Sequence, residues 1–187
     1  MAGFLPICQS ADYALSILLV SDIESQLKNF STVLNDTGNG EREGSVKVYT
    51  CESVSQIVHL KDKPQCDFVA LFVNEKRFNA IHEVEQNLLK LDQAFMFDRV
   101  CLICDNVQTS GGFMPKILHL KHKYQLHALW GNLEEEFVGV CKRLLNLASA
   151  VCGATTGFPL VTHKVWHGRS GSPHEFSTYE STQDRTF

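Results

Sequence analysis

The sequence predicts an α/β protein: a mostly parallel sheet with helices on both faces. Three observations lead there. Short runs that are apolar on both sides of a pleat recur at Leu15–Val20, Asp67–Val73 and Arg99–Cys104. Strands buried on both faces belong to parallel sheets, whose crossover connections cover each side. Between these runs lie segments with apolar residues at helical spacing, so strands alternate with helices at least three times. Each run is also followed by polar turn residues, as a strand feeding a crossover helix requires.

Taken in order, residues 1–14 form a lead-in. Leu15–Val20 is the first strand, followed by the polar Ser21-Asp22. Ile23, Leu27, Phe30 and Leu34 then fall on one helical stripe, with Asp22 placed to cap it. Asn35–Gly44, with its three glycines, reads as a loop. Ser45–Cys51 alternates as a modest strand. Residues 52–65 suggest a short helix ending before Pro64. Asp67–Val73 is the clearest strand, and Ile81, Val84, Leu88 and Leu91 stripe the next helix. After the strand Arg99–Cys104, Thr109–Met114 reads as a loop and Pro115 suits the first turn of a helix striped by Ile117, Leu120 and Tyr124. Leu126–Trp130 is a last short strand. A helix over 133–150 turns Phe137, Cys141, Leu144, Ala148 and Val151 inward. The domain therefore spans 15–153. An apolar extension covers 154–167, and Gly168–Phe187 has seven Ser or Thr in 20 residues and the composition of a disordered tail.

With 44% apolar and 20% charged residues, the chain has ordinary globular usage, which excludes a fibrous or wholly disordered protein. The net charge of −4 is the wrong sign for a protein that grips nucleic acid directly. No run approaches the roughly 18 apolar residues of a spanning helix, and Met1–Ser10 lacks the basic start of a secretory leader. An odd count of seven cysteines with apolar neighbours points to reduced thiols rather than a disulfide framework.

In doubly wound sheets ligands sit at the carboxyl ends of the strands, so the loops there decide the chemistry. The first, Ser21–Lys28, has no glycine to let backbone N–H groups close on a phosphate. Leu27 stands where the loop's lysine belongs and Lys28 where its hydroxyl belongs. Asp22 and Glu24 place carboxylates at the anion position instead. One such charge about 4 Å from a phosphate costs roughly 4 kcal/mol at an effective dielectric near 20, about three decades of affinity. Asn74-Glu75-Lys76-Arg77 offers charge without an oriented acid–base pair and reads as a solvated turn, and Asp105-Asn106-Val107-Gln108 as a polar one. Cys101 and Cys104 form a CxxC, but residues three apart on a strand face opposite sides, so they read as buried apolar residues. His119 and His122, with Lys116, Lys121 and Lys123, form a polar helix face without the further ligands zinc requires. No Gly-x-Ser-x-Gly elbow marks a nucleophile. The reading therefore names no catalytic residue, metal or cofactor.

Apolar excess is the remaining signal. Ala94-Phe95-Met96-Phe97 sets three large side chains in a connector where all cannot turn inward, and Gly157–Val161 is apolar without periodicity. Phe97, Phe158, Leu160 and Val161 are the candidate partner-binding residues, of the kind that anchors protein interfaces.

The strand–helix order to residue 150 resembles a small Ras-like GTPase shortened in its front half. The gap from Val20 to Asp67 is too short for normal switch regions, and Asp105–Gln108 stands in place of the guanine-reading Asn-Lys-x-Asp. Ile17–Val20, Asp67–Asn74, the run Leu89–Cys101 with its Leu91-Asp92, Ala94-Phe95 and Arg99-Val100-Cys101, His122–Gln125, Asn132–Glu134, Arg143-Leu144 and Cys152-Gly153 together resemble the centromere protein M family of the inner kinetochore. That resemblance implies a GTPase-like fold that neither binds nor hydrolyses nucleotide. It implies a nuclear scaffold held by the helical repeat of centromere protein I and joined to centromere proteins H and K, with DNA reached only through the complex and no membrane contact. Two alternatives stay open: a divergent nucleotide-binding GTPase, and a trafficking adaptor sharing the fold but not the partners.

Overall fold

The structure is a computed structural model that describes residues 15–40, 45–60, 64–96, 98–105 and 112–153, without the side chains of 39, 40, 94 and 96. In chain order the elements are β1 (Leu15–Val20), α1 (Glu24–Gly40), β2 (Val46–Cys51), α2 (Val54–Val58), β3 (Phe68–Val73), α3 (Ala80–Leu88), a 3-10 turn (Gln93–Met96), β4 (Val100–Asp105), α4 (Met114–Tyr124), β5 (His127–Gly131) and α5 (Phe137–Cys152). The strands lie in the order β2-β1-β3-β4-β5, and every pairing is parallel. This is a doubly wound α/β sheet, and the order reverses at β1.

Strand alternation divides the core in two. Leu18, Val20, Val69, Leu71, Val73, Leu102 and Cys104 face α2, α3 and α4. Ile17, Leu19, Phe68, Ala70, Phe72, Cys101 and Ile103 face α1 and α5. Every residue of β1 and β3 is buried, which is why the sequence marks them as continuous apolar runs. On the second face Phe30 meets Phe72 and Phe137 edge-on, with ring centroids 4.7 and 4.6 Å apart, so α1, β3 and α5 share one aromatic joint. At the amino edge the buried Asp67 joins β1 to β3. Its Oδ2 accepts from the Ser16 N–H at 3.0 Å, and its own N–H donates to the Ser16 carbonyl at 2.8 Å.

Four expectations need correction. Residues 35–40 are helical rather than a loop: α1 runs on to Gly40 because Gly38 is buried against β2. A Cβ at Gly38 would overlap Val46 Cγ2 and Cβ, so the glycine that reads as a helix breaker is what lets the helix approach the strand. Asp22 does not serve α1 as its main cap. Ser21 Oγ accepts from the Ile23 N–H at 3.1 Å while Asp22 turns to other partners. Leu91 is buried but lies past the end of α3. The last helix starts at Phe137, because Asn132 Oδ1 accepts from the N–H groups of Glu134 and Glu135 at 3.0 and 3.1 Å and folds 133–136 into a turn.

Gly38→Ala is expected to destabilise the domain by roughly 1–3 kcal/mol through overpacking against Val46, although alanine is the better helix former by about 1 kcal/mol. Gly139, in α5 with open space around its Cβ position, is the control: Gly139→Ala should leave stability unchanged or raised. Urea midpoints of the two variants against wild type check both outcomes.

Candidate functional site at the carboxyl edge of the sheet

Because all five strands are parallel, the segments that follow them gather at one edge. The order reversal between β1 and β3 is where a doubly wound protein opens a crevice for ligand. Here the two turns that flank it are tied together. Asn74 Nδ2 donates to Asp22 Oδ2 at 3.0 Å, and Arg77 Nε lies 2.6 Å from the same oxygen. Arg77 also reaches Glu83 Oε1 at 3.3 Å. The turn itself is closed from within, since the Lys76 N–H donates to Asn74 Oδ1 at 3.1 Å and the Arg77 N–H to the Asn74 carbonyl at 3.1 Å. The space left at the crevice is about 30 Å³ among the described residues, lined by Ser21, Asp22, Asn74 and Asn87 among others. Small-molecule pockets typically measure about 300–1,000 Å³.

This geometry bears on phosphate chemistry. Arg77, the cation on the turn after β3 that is tied across the crevice, is held between two carboxylates. Drawing it onto a phosphate would uncover Asp22 and Glu83. Asn74–Arg77 is thus a braced turn, more ordered than the solvated one expected from sequence. The signal missed was the pairing of Asp22 with residues 52 and 55 positions away, which no local pattern reveals.

Beside the crevice lies a cleft of about 230 Å³ between the turns after β3 and β5 and the start of α4. Ile23, Phe113, Leu133 and Phe137 supply its apolar walls, and Glu75, Asp105 and Glu134 its carboxylates. On the outer side of the same tie a groove of about 460 Å³ is open, lined by Asp22, Glu52, Ser53, Arg77, His82, Glu83 and Asn87. Ser53 Oγ and the Val54 N–H both donate to Asn87 Oδ1 at 2.9 Å there, fixing α2 to α3.

The remaining motifs resolve structurally. Cys104 belongs to one core face and Cys101 to the other, so the CxxC pair does not converge. Burial pushes the thiols of Cys51, Cys66, Cys101 and Cys141 up to about 12, and that of Cys104 higher still. His119 and His122 are exposed on α4, and Lys123 and Tyr124 both donate to Glu85, at 2.6 and 2.8 Å. That pairing holds the Glu85 carboxyl below the usual glutamate range. Among the described residues no group of three or more His, Cys, Asp or Glu is placed to hold a metal ion. Phe95 is fully buried under the 3-10 turn. Phe97, Phe158, Leu160 and Val161 lie outside the described residues, as do residues 1–14 and the C-terminal segments 154–167 and 168–187.

Fold and edge together define the class: a doubly wound, parallel α/β protein whose two turns at the strand-order reversal are tied by Asp22, Asn74 and Arg77. Within that class the chain belongs to the centromere protein M (CENP-M) family, whose model matches residues 5–164. It is therefore a centromere and kinetochore protein, from a family of kinetochore subunits not known as enzymes. No curated protein matches the chain. Among solved structures, a two-component response regulator from Legionella pneumophila superposes with a TM-score of 0.51 at 12% identity, covering 72% of this chain and 98% of that one, which shows the shared fold alone. A response regulator receiver protein from Pseudoalteromonas atlantica gives 0.44 at 10% identity, covering 70% and 97%. No helix among the described residues is long and apolar enough to cross a membrane.

The thiols provide a direct check of this core. With Cys8 replaced by Ser, the native chain at pH 8 should react with a thiol reagent only as fast as it opens, and promptly in urea. The raised thiols also fix the sign of the alkaline limb. The unfolded chain releases these protons near the ordinary value of 9.0, whereas the folded chain holds them to about 12. Stability is therefore full below pH 9 and falls as pH rises from there toward 12, read as a falling urea midpoint.

Proposed function

We propose that this chain is a catalytically inactive, GTPase-like scaffold subunit that binds the helical repeat of centromere protein I and stabilises its complex with centromere proteins H and K in the nucleus. One observation carries the reading. The place where a related fold would hold a phosphate is occupied by the Asp22–Asn74–Arg77 tie, within a sequence that has no phosphate-binding glycines. Family membership supplies the cellular setting. A protein built this way acts by what it holds together, and DNA is reached through its partners, in keeping with its net charge of −4.

Phe97, Phe158, Leu160 and Val161 are the proposed contacts with centromere protein I. Aromatic side chains such as Phe97 and Phe158 are enriched at protein interfaces.

A tagged full-length chain recovered from dividing cells is expected to bring down centromere proteins I, H and K, identified by mass spectrometry. Phe97→Glu should abolish that recovery while leaving the thermal melt in place. Acid release of bound nucleotide should give none by chromatography. Guanine nucleotide copurifying with the chain would support a divergent GTPase instead, and recovery of vesicle proteins in place of the centromere set would support an adaptor.

A further inference from the structure

Phe78 is the most exposed large apolar side chain among the described residues, with its whole surface open to solvent. It stands in the turn between β3 and α3, directly after Arg77. The turn that carries it is held by Asn74, Asp22 and Glu83, and the Ala80 N–H closes it onto the Arg77 carbonyl at 3.2 Å. An aromatic ring on a mobile tip would cost a partner its ordering entropy. On a braced turn much of that cost is already met within the fold.

Its surroundings are net negative, although Lys76 lines the adjoining cleft and Arg77 directly precedes the ring. Each of the five strand ends bears a carboxylate at or just after its last residue: Asp22, Glu52, Glu75, Asp105 and Glu134. Asp22, Glu52 and Glu134 precede helix starts by two or three residues and balance the positive ends there, which accounts for those three. It does not account for an exposed phenylalanine among them. Nor does it account for the apolar walls of the adjoining cleft, to which Ile23 is open at 37% and which Phe113, Leu133 and Phe137 continue. At about 230 Å³ the cleft admits a side chain or two rather than a nucleotide-sized ligand.

We infer that the carboxyl edge is a second docking surface, for a basic amphipathic helix of a protein partner. An apolar side chain of that helix enters the cleft, Phe78 packs on its flank, and its Lys and Arg residues meet the exposed Glu134 and the net negative charge of the edge. Charge complementarity selects this occupant. Nucleic acid and anionic lipid are repelled by the same carboxylates, and a second copy of the chain would bring like charge to like. The chain would then engage partner surface through this edge in addition to the proposed contacts. This rests on the scaffold reading above and adds the partner chemistry of a second surface.

The test uses the full chain and a purified complex of centromere proteins H, I and K as probe, with affinity read by biolayer interferometry from 50 to 300 mM NaCl. Wild type should bind more weakly as salt rises. Phe78→Ala should weaken binding about tenfold, as loss of an aromatic interface contact does, and Phe78→Tyr should restore most of it. Glu134→Lys should weaken binding and flatten the salt dependence. Both positions are solvent-exposed, so thermal melts should stay at the wild-type value and separate lost contact from lost fold. Wild-type affinity in both variants would overturn the docking surface while leaving the scaffold reading intact. Failure of wild type itself to bind would overturn both. A wild-type dimer in sedimentation that Phe78→Ala dissolves would assign the surface to a second copy, against the inference.

Discussion

Asp22 and Arg77 meet at 2.6 Å across the point where the strand order reverses, and much of what the carboxyl edge can do follows from that contact. β1 and β3 are wholly buried, so their ends are held rigidly side by side. Topology alone would leave a crevice between the turns that leave them. The ion pair, with Asn74 on the same oxygen, joins the turns across it. Its contribution to stability is small: Arg77 is half exposed, and pairs of that kind are typically worth about 0–1 kcal/mol. The two core clusters hold the domain together, and the pair decides where the turn points.

That division of labour explains what the sequence makes legible. Strands buried on both faces must be apolar at nearly every position, so β1, β3 and β4 stand out from their residues alone, and the helices between them show one-sided stripes. The parallel sheet follows from those two facts. The second half of α1 was hidden because Asn35, Asp36, Gly38 and Gly40 carry loop-forming propensities, while the contact that overrides them is with Val46 on the next strand. Local preference lost to tertiary packing, and the glycine is what allows the packing.

The site was legible mainly in the negative. An absent glycine loop and misplaced lysine can be read from Ser21–Lys28, but the closure that replaces them cannot. Asp22 and Arg77 each look like ordinary turn residues, and only the β1–β3 pairing brings them together. Phe78 is illegible for a related reason. A lone aromatic beside Lys76 and Arg77 resembles any surface turn until the structure shows how little covers it. The CxxC is the converse case, where strand geometry was enough to separate Cys101 from Cys104 onto opposite faces.

A braced turn also differs in kind from a switch. A nucleotide-driven switch needs a segment after the third strand with two arrangements of similar energy, one of them held by contacts to the terminal phosphate. Here the corresponding turn is fastened by side chains of the same chain, with its own Asn74 supplying both a side-chain and a backbone acceptor. A ligand can shift such an equilibrium only by its differential affinity for a second arrangement, and these contacts favour one. The edge therefore presents its carboxylates from a turn biased toward one arrangement. That suits a component of a standing assembly, in which a surface that did not hold still would spend partner affinity on ordering itself.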